Sequence, residues 1–252
     1  MILRRIAEAF RRQDWFTVFI ETMIVVVGVF VGLQVNNWNA ARIENDQSRI
    51  FTQTLKNDLR ADAMLYRGVA DYYGAVRDNG ECALSALDGE KPLSDEELVI
   101  CAYRASQVAL VSINRSTYDE LVSTGRINLI ADKAFREAAI DHFGFNFIEA
   151  AHTDGREAGY RNLVRGLIPP EAHRAARRDC GDVASDDIIS LDYPCKLDIP
   201  DAVIAKAAQA IRAEAGLPAA LRRRINELDV QITDLNAEAA RLERTLSAEE
   251  VR

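Results

Sequence analysis

Proline and glycine are scarce in this chain, at six and thirteen of 252 residues, and aromatic residues make up only 7%. Alanine, leucine, arginine and glutamate are frequent instead, a balance that favours helices over sheets. There is no Gly-rich phosphate loop and no G-x-S-x-G elbow, so the usual nucleotide and hydrolase signatures are missing. The four cysteines have no C-x-x-C spacing, which disfavours a zinc or redox centre. Only three histidines occur, His142, His152 and His173. The first two are ten residues apart and face different directions on a helix, so they do not suggest a shared metal. Asp182, Asp186 and Asp187 lack an EF-hand pattern and read as a solvated acidic loop, with weak Ca²⁺ binding the minor alternative. Net charge is −8, which argues against a nucleic-acid partner because a phosphate backbone requires a basic face. No cofactor, metal or catalytic constellation is expected. With 28% charged and 48% hydrophobic residues, the chain is also not a disordered one.

One long apolar run stands out, from Trp15 to Val35. Its length of about 21 residues makes roughly 31 Å of helix, the thickness of a hydrocarbon core. The only two tryptophans, Trp15 and Trp38, bracket it as interfacial residues do. The run is longer than a signal-peptide core and no A-x-A-like site follows, so a retained anchor is expected. Arg4, Arg5, Arg11 and Arg12 precede the run, whereas Arg42 and Arg49 follow it. The positive-inside rule then predicts a cytoplasmic N-terminus and an extracytoplasmic remainder. Residues 1–14 read as a basic amphipathic segment that lies against anionic lipid or merely fixes topology.

Glu21 is the one ionisable residue in the apolar run. A charge at mid-depth in a bilayer costs about 2–3 kcal/mol or more. At helical spacing Glu21, Val25, Gly28 and Gly32 share one face, and Gly28 and Gly32 form a G-x-x-x-G. The predicted role is a helix–helix interface inside the membrane, with Glu21 paired to a partner. The plainer reading is a snorkelling glutamate beside two incidental glycines.

All four cysteines, Cys82, Cys101, Cys180 and Cys195, follow the apolar run. An even number suggests two disulfides, with three connectivities to choose from. The local pairs are favoured. Cys82 precedes the turn from Asp88 to Pro92, and Cys101 follows the capping box Ser94-x-x-Glu97, so two antiparallel helices would bring them together. Cys180 and Cys195 enclose a loop with no regular period, where a staple is useful.

The remainder reads as helix after helix. A long helix is predicted to end at Asn79-Gly80, a short one to run from Ser116 to Ser123, and another to start at Asp132 and continue to Ile168. Near the C-terminus Leu221, Ile225, Leu228, Ile232, Leu235, Ala239, Leu242 and Leu246 alternate spacings of four and three. That stripe suits either a bundle within the chain or a parallel coiled coil between chains.

Two segments carry a resemblance. One is V-G-V-F-V-G-L-Q-V-N-N-W-N, from Val27 to Asn39; the other is T-Y-D-E-L-V-S-T-G-R-I-N-L-I, from Thr117 to Ile130, continued to Phe143. Over roughly residues 10–145 the chain resembles a family of uncharacterised bacterial membrane proteins with a single N-terminal span. The resemblance implies an acidic residue at the place of Glu21, a bacterial inner membrane and a periplasmic domain. It implies no mechanism.

The expectation is therefore an all-α protein. Residues 1–14 form the cytoplasmic segment, 15–38 the transmembrane helix, 39–200 a periplasmic helical domain and 201–252 a helical hairpin of coiled-coil type. Its predicted function is a non-enzymatic interaction or assembly subunit in contact with membrane lipid and with a protein partner or itself. The alternative is a periplasmic ligand-sensing bundle that signals through a partner.

Overall fold

The computed structural model describes residues 15–185, 188–191 and 193–250. It is all-α apart from one small hairpin. Helix α1 runs from Trp15 to Leu87, α2 from Asp95 to Arg104, α3 from Ser116 to Ser123 and α4 from Lys133 to Gly144. Then come α5 (Phe147–Glu157), α6 (Gly159–Leu167) and α7 (Pro170–Asp179), strands β1 (Val183–Ser185) and β2 (Ile188–Ser190), α8 (Asp201–Ala213) and α9 (Leu217–Glu250). The chain divides into two compact units, Met1–Thr52 and Gln53–Arg252.

In the first unit, α1 is apolar and long enough to cross a membrane, and its most apolar window is wholly unburied. In the second unit, the same helix buries a face made by Leu55, Leu59, Tyr66, Val69, Tyr73, Val76 and Ala83. Spacings of three and four keep these residues on one side. Helix α9 opposes this face, with Leu221 and Ile225 against Gly80, and also packs against α4, α5 and α6, while α2 packs against α8.

Helix α1 does not stop at Asn79-Gly80 as the sequence suggests, but continues to Leu87. The glycine is there for proximity: a Cβ on Gly80 would meet Ile225 Cγ1 at 3.1 Å. Its lack of a side chain lets α9 approach, and the buried stripe on either side outweighs its weak helix propensity of roughly 1 kcal/mol. The true terminator is Gly89, whose φ of 77° lies in the left-handed region. The capping box that opens α2 is present, with Ser94 N–H donating to Glu97 Oε2 at 2.8 Å and Glu97 N–H to Ser94 Oγ at 3.2 Å.

The single helix anticipated from Asp132 to Ile168 is three. Asp132 caps its start through Phe135 N–H at 2.8 Å. Phe145 is extended, and Asn146 begins a new helix by accepting from Glu149 N–H at 3.2 Å. An asparagine side chain that bonds nearby backbone competes with helix continuation. Ala158, with ψ of 127°, makes the second break. The short helix predicted from Ser116 to Ser123 is present as α3, with Arg115 in its cap position. The stapled loop is also more regular than its sequence suggests, because β1 and β2 pair antiparallel with Ala184 opposite Ile189.

Candidate functional site

The stripe in the first unit is open. Glu21, Val25, Gly28 and Gly32 are all exposed, and a Cβ on either glycine would meet nothing within 4 Å. Among the described residues Glu21 has no hydrogen bond or ion pair. The helix offers a small-residue track beside one carboxylate, a surface that another helix can approach closely. The basic segment 1–14 lies outside the described residues.

In the second unit the cysteines pair as Cys82–Cys101 and Cys180–Cys195, with Cα separations of 6.0 and 5.4 Å. The heptad stripe on α9 faces inward. Leu221, Leu228, Leu235, Ala239, Leu242 and Leu246 are buried, and Ile225 and Ile232 are half-buried. The stripe is thus spent within the chain. Its flanking charges are also taken up internally: Asp229 meets Arg77 at 3.3 Å and Glu243 meets Arg67 at 3.0 Å.

Asp182 is exposed, as read from the sequence, but its carboxylate is also tied to the domain. Its Oδ1 accepts from Tyr72 Oη at 2.8 Å and from Gln107 Nε2 at 3.0 Å. Partial desolvation of the carboxylate raises its pKa in spite of these bonds. Nearby, Arg104 holds the stapled loop, donating to the Cys180 carbonyl at 3.1 Å and the Tyr193 carbonyl at 2.9 Å. Asp186 and Asp187 lie outside the described residues.

The most concentrated polar chemistry joins α1, α4 and α9. His142 on α4 is fully buried. Its Nδ1 lies 2.8 Å from Glu238 Oε1 on α9, and its Nε2 lies 3.0 Å from Asp62 Oδ2 on α1. Both ring nitrogens therefore face acceptors, an arrangement that a charged imidazolium satisfies from both sides. Neutral imidazole has one N–H and would set a lone pair against a carboxylate. Arg241 completes the set, donating from Nη2 to Glu238 Oε1 at 2.7 Å and from Nε to Glu238 Oε2 at 2.8 Å. Two cations then balance two carboxylates.

The proton affinities follow from this geometry. Burial opposes the charge on His142, but hydrogen bonds to Asp62 and Glu238 outweigh it and raise the pKa above its ordinary value. Burial likewise pushes Glu238 up, yet the bonds from His142 and Arg241 pull its carboxyl down to about 2. Tyr66 and Phe143 wall the imidazole, with ring centroids 5.7 and 4.8 Å away. No part of the His142 side chain reaches solvent, so the group has no access to a substrate. Its two nitrogens point to different carboxylates, and among the described residues no three His, Cys, Asp or Glu side chains are placed to hold a metal. The cluster is a clamp that ties three helices distant in sequence.

Sequence reasoning missed this clamp, although a signal exists. Asp62 lies three residues after Leu59 and four before Tyr66, inside an apolar stripe, and Glu238 lies the same way between Leu235 and Leu242. A charge in a buried register implies a buried partner.

Fold and clamp define a helical domain with two disulfides, carried on a helix whose N-terminal part is apolar and unburied. The chain belongs to a family of unknown function (DUF6090), whose model matches residues 21–147. That match runs from Glu21 through His142 and stops before the second cysteine pair and Glu238. Neither the curated proteins nor the solved structures contain a match to the chain.

Proposed function

We propose that this protein is a membrane-anchored, non-enzymatic assembly subunit of a bacterial inner-membrane complex. Its N-terminus lies in the cytoplasm and its disulfide-linked helical domain in the periplasm. The observation that carries this reading is the exposed track of Glu21, Val25, Gly28 and Gly32. In lipid an unpaired carboxylate is unfavourable by about 2–3 kcal/mol at mid-depth, less near the interface. A partner helix that packs on the two glycines brings a donor or cation to Glu21 and removes that penalty. The inward-facing α9 seam is not the contact surface in this reading, so the span itself carries the association. The disulfide pairs support an oxidising compartment for the domain.

The test is purification in mild detergent, with measurement of the intact-complex mass of the wild type, Glu21→Ala and Gly28→Leu. A defined assembly in the wild type, lost or weakened in both variants while membrane insertion persists, is the expected result. Wild-type assembly in both variants refutes the role of the stripe.

A further inference from the structure

Just beyond α2, Ser106 gathers two arginines from successive turns of α6. Arg161 Nη1 donates to its carbonyl, and Arg165 Nε donates to its hydroxyl at 2.9 Å. Arg165 Nη2 also reaches Gln107 Oε1 at 2.5 Å. The Arg165 guanidinium lies over the ring of Tyr103, 5.0 Å from its centroid. The same ring meets His173 on α7 edge-on, with 5.6 Å between centroids. Arg177 follows one turn after His173. Two helices thus set their cations around one aromatic pair.

Like charges held this close repel one another. Elsewhere in the domain the half-buried Arg77, Arg115 and Arg241 each meet a carboxylate. Arg161 and Arg165 are half-buried too, yet among the described residues neither they nor Arg177 form an ion pair. The neighbouring carboxylate, Asp182, is bonded instead by Tyr72 and Gln107. Donors are left over. Arg161 Nε and Nη2 and Arg165 Nη1 have no acceptor among the described residues, and they are not sealed from solvent as Nε and Nη1 of Arg224 are. Arg177 is exposed and makes no hydrogen bond among the described residues. The crowding registers on its neighbours. Burial, then Arg165, Arg161 and Arg177, hold His173 below its ordinary pKa. Burial, then Arg165, pushes the Arg161 guanidinium down to about 10.

We propose that this cluster binds a dianionic phosphate group, the kind carried by a small phosphate monoester. Guanidinium forks match phosphate oxygens, and donors arriving from two helices suit a tetrahedral anion with three acceptor oxygens. The charge fits as well. Three arginines against Asp182 leave an excess of two, and a phosphate monoester near neutral pH carries about −1.5 to −2. A carboxylate or a phosphodiester carries a single charge and offsets only half of the excess. All of these residues belong to the second unit, so the site stands or falls separately from the assembly role of the span.

The experiment is calorimetric titration of the full-length protein in non-ionic detergent with glycerol 3-phosphate, at about pH 7.5 and constant ionic strength. Acetate and dimethyl phosphate are the comparison titrants. The histidine rings are also titrated with pH by NMR, with and without glycerol 3-phosphate. The expected result is saturable one-site binding of the monoester that neither comparison titrant reproduces. The bound anion should offset the guanidiniums and move the His173 titration up by about one pH unit, while His152 on α5 stays where it is. Arg177→Gln should weaken binding about tenfold without lowering the melting temperature of the unliganded protein. Arg244→Gln, an equal loss of charge beside Asp132, should bind as the wild type does. The proposal is overturned by the absence of saturable binding, by equal binding of acetate, by an unmoved His173, by undiminished binding in Arg177→Gln, or by an equal loss in Arg244→Gln. Equal binding of dimethyl phosphate would also overturn it, and would assign the cluster to phosphodiesters.

Discussion

Replacement of His142 should expose how much of the domain depends on one buried ion cluster. The side chains of His142, Asp62 and Glu238 are 0%, 4% and 6% exposed. In His142→Ala the two carboxylates remain buried, and among the described residues Arg241 is the only cation still bonded to either. Removing one member of such a cluster costs about 3–5 kcal/mol, because an unmatched buried charge is left behind. The pH dependence has a definite sign. The folded pKa of His142 is raised, so its stabilisation is complete below its unfolded value and is lost as pH rises through the folded value. Glu238 is depressed to about 2, so its share is complete above its unfolded value and is lost only as pH falls toward 2. The clamp is therefore strongest between about pH 4.5 and 6.5. Above that window, with the unfolded histidine neutral and the folded one still charged, this group lowers stability by about 1.4 kcal/mol per pH unit. The assay is urea unfolding followed by far-ultraviolet circular dichroism, on the wild type and His142→Gln, between about pH 6 and 9. Glutamine can donate to a carboxylate but does not titrate, so the gap between the two proteins should shrink as pH rises. A wild-type stability that is flat or rising across this range, in parallel with the variant, would refute the doubly donating imidazolium.

Packing and covalent structure set the remaining outcomes. Gly80→Leu should destabilise the domain by about 1–3 kcal/mol, because the close approach to Ile225 leaves no room for a side chain; an unchanged urea midpoint would contradict that contact. Cys82→Ala with Cys101→Ala should cost about 3 kcal/mol, as should Cys180→Ala with Cys195→Ala, from the loop lengths each pair closes. Thiol labelling of the unreduced protein should leave all four cysteines unmodified, and labelling at all four would argue against an oxidising compartment.

Much of this architecture is local and was therefore legible. The apolar run of α1, the Ser94–Glu97 capping box, the Asp132 cap and the α9 stripe each depend on residues within one or two helical turns, where spacing and propensity decide. The face shared by Glu21, Gly28 and Gly32 is legible for the same reason, since helix periodicity alone puts these residues together. Termini were less legible where two preferences compete. Asn79-Gly80 carries a stop signal that packing overrides, and Asn146 starts a helix in the middle of an apolar pattern.

The all-α class, the long apolar helix and the amphipathic faces are short-range periodicities and can be read along the chain. That the α9 leucines face inward, that Asp229 and Glu243 are matched by arginines on α1, and that Asp62, His142 and Glu238 meet depends on long-range packing. Those three lie 80 and 96 residues apart, and no local pattern reveals which buried charges become neighbours.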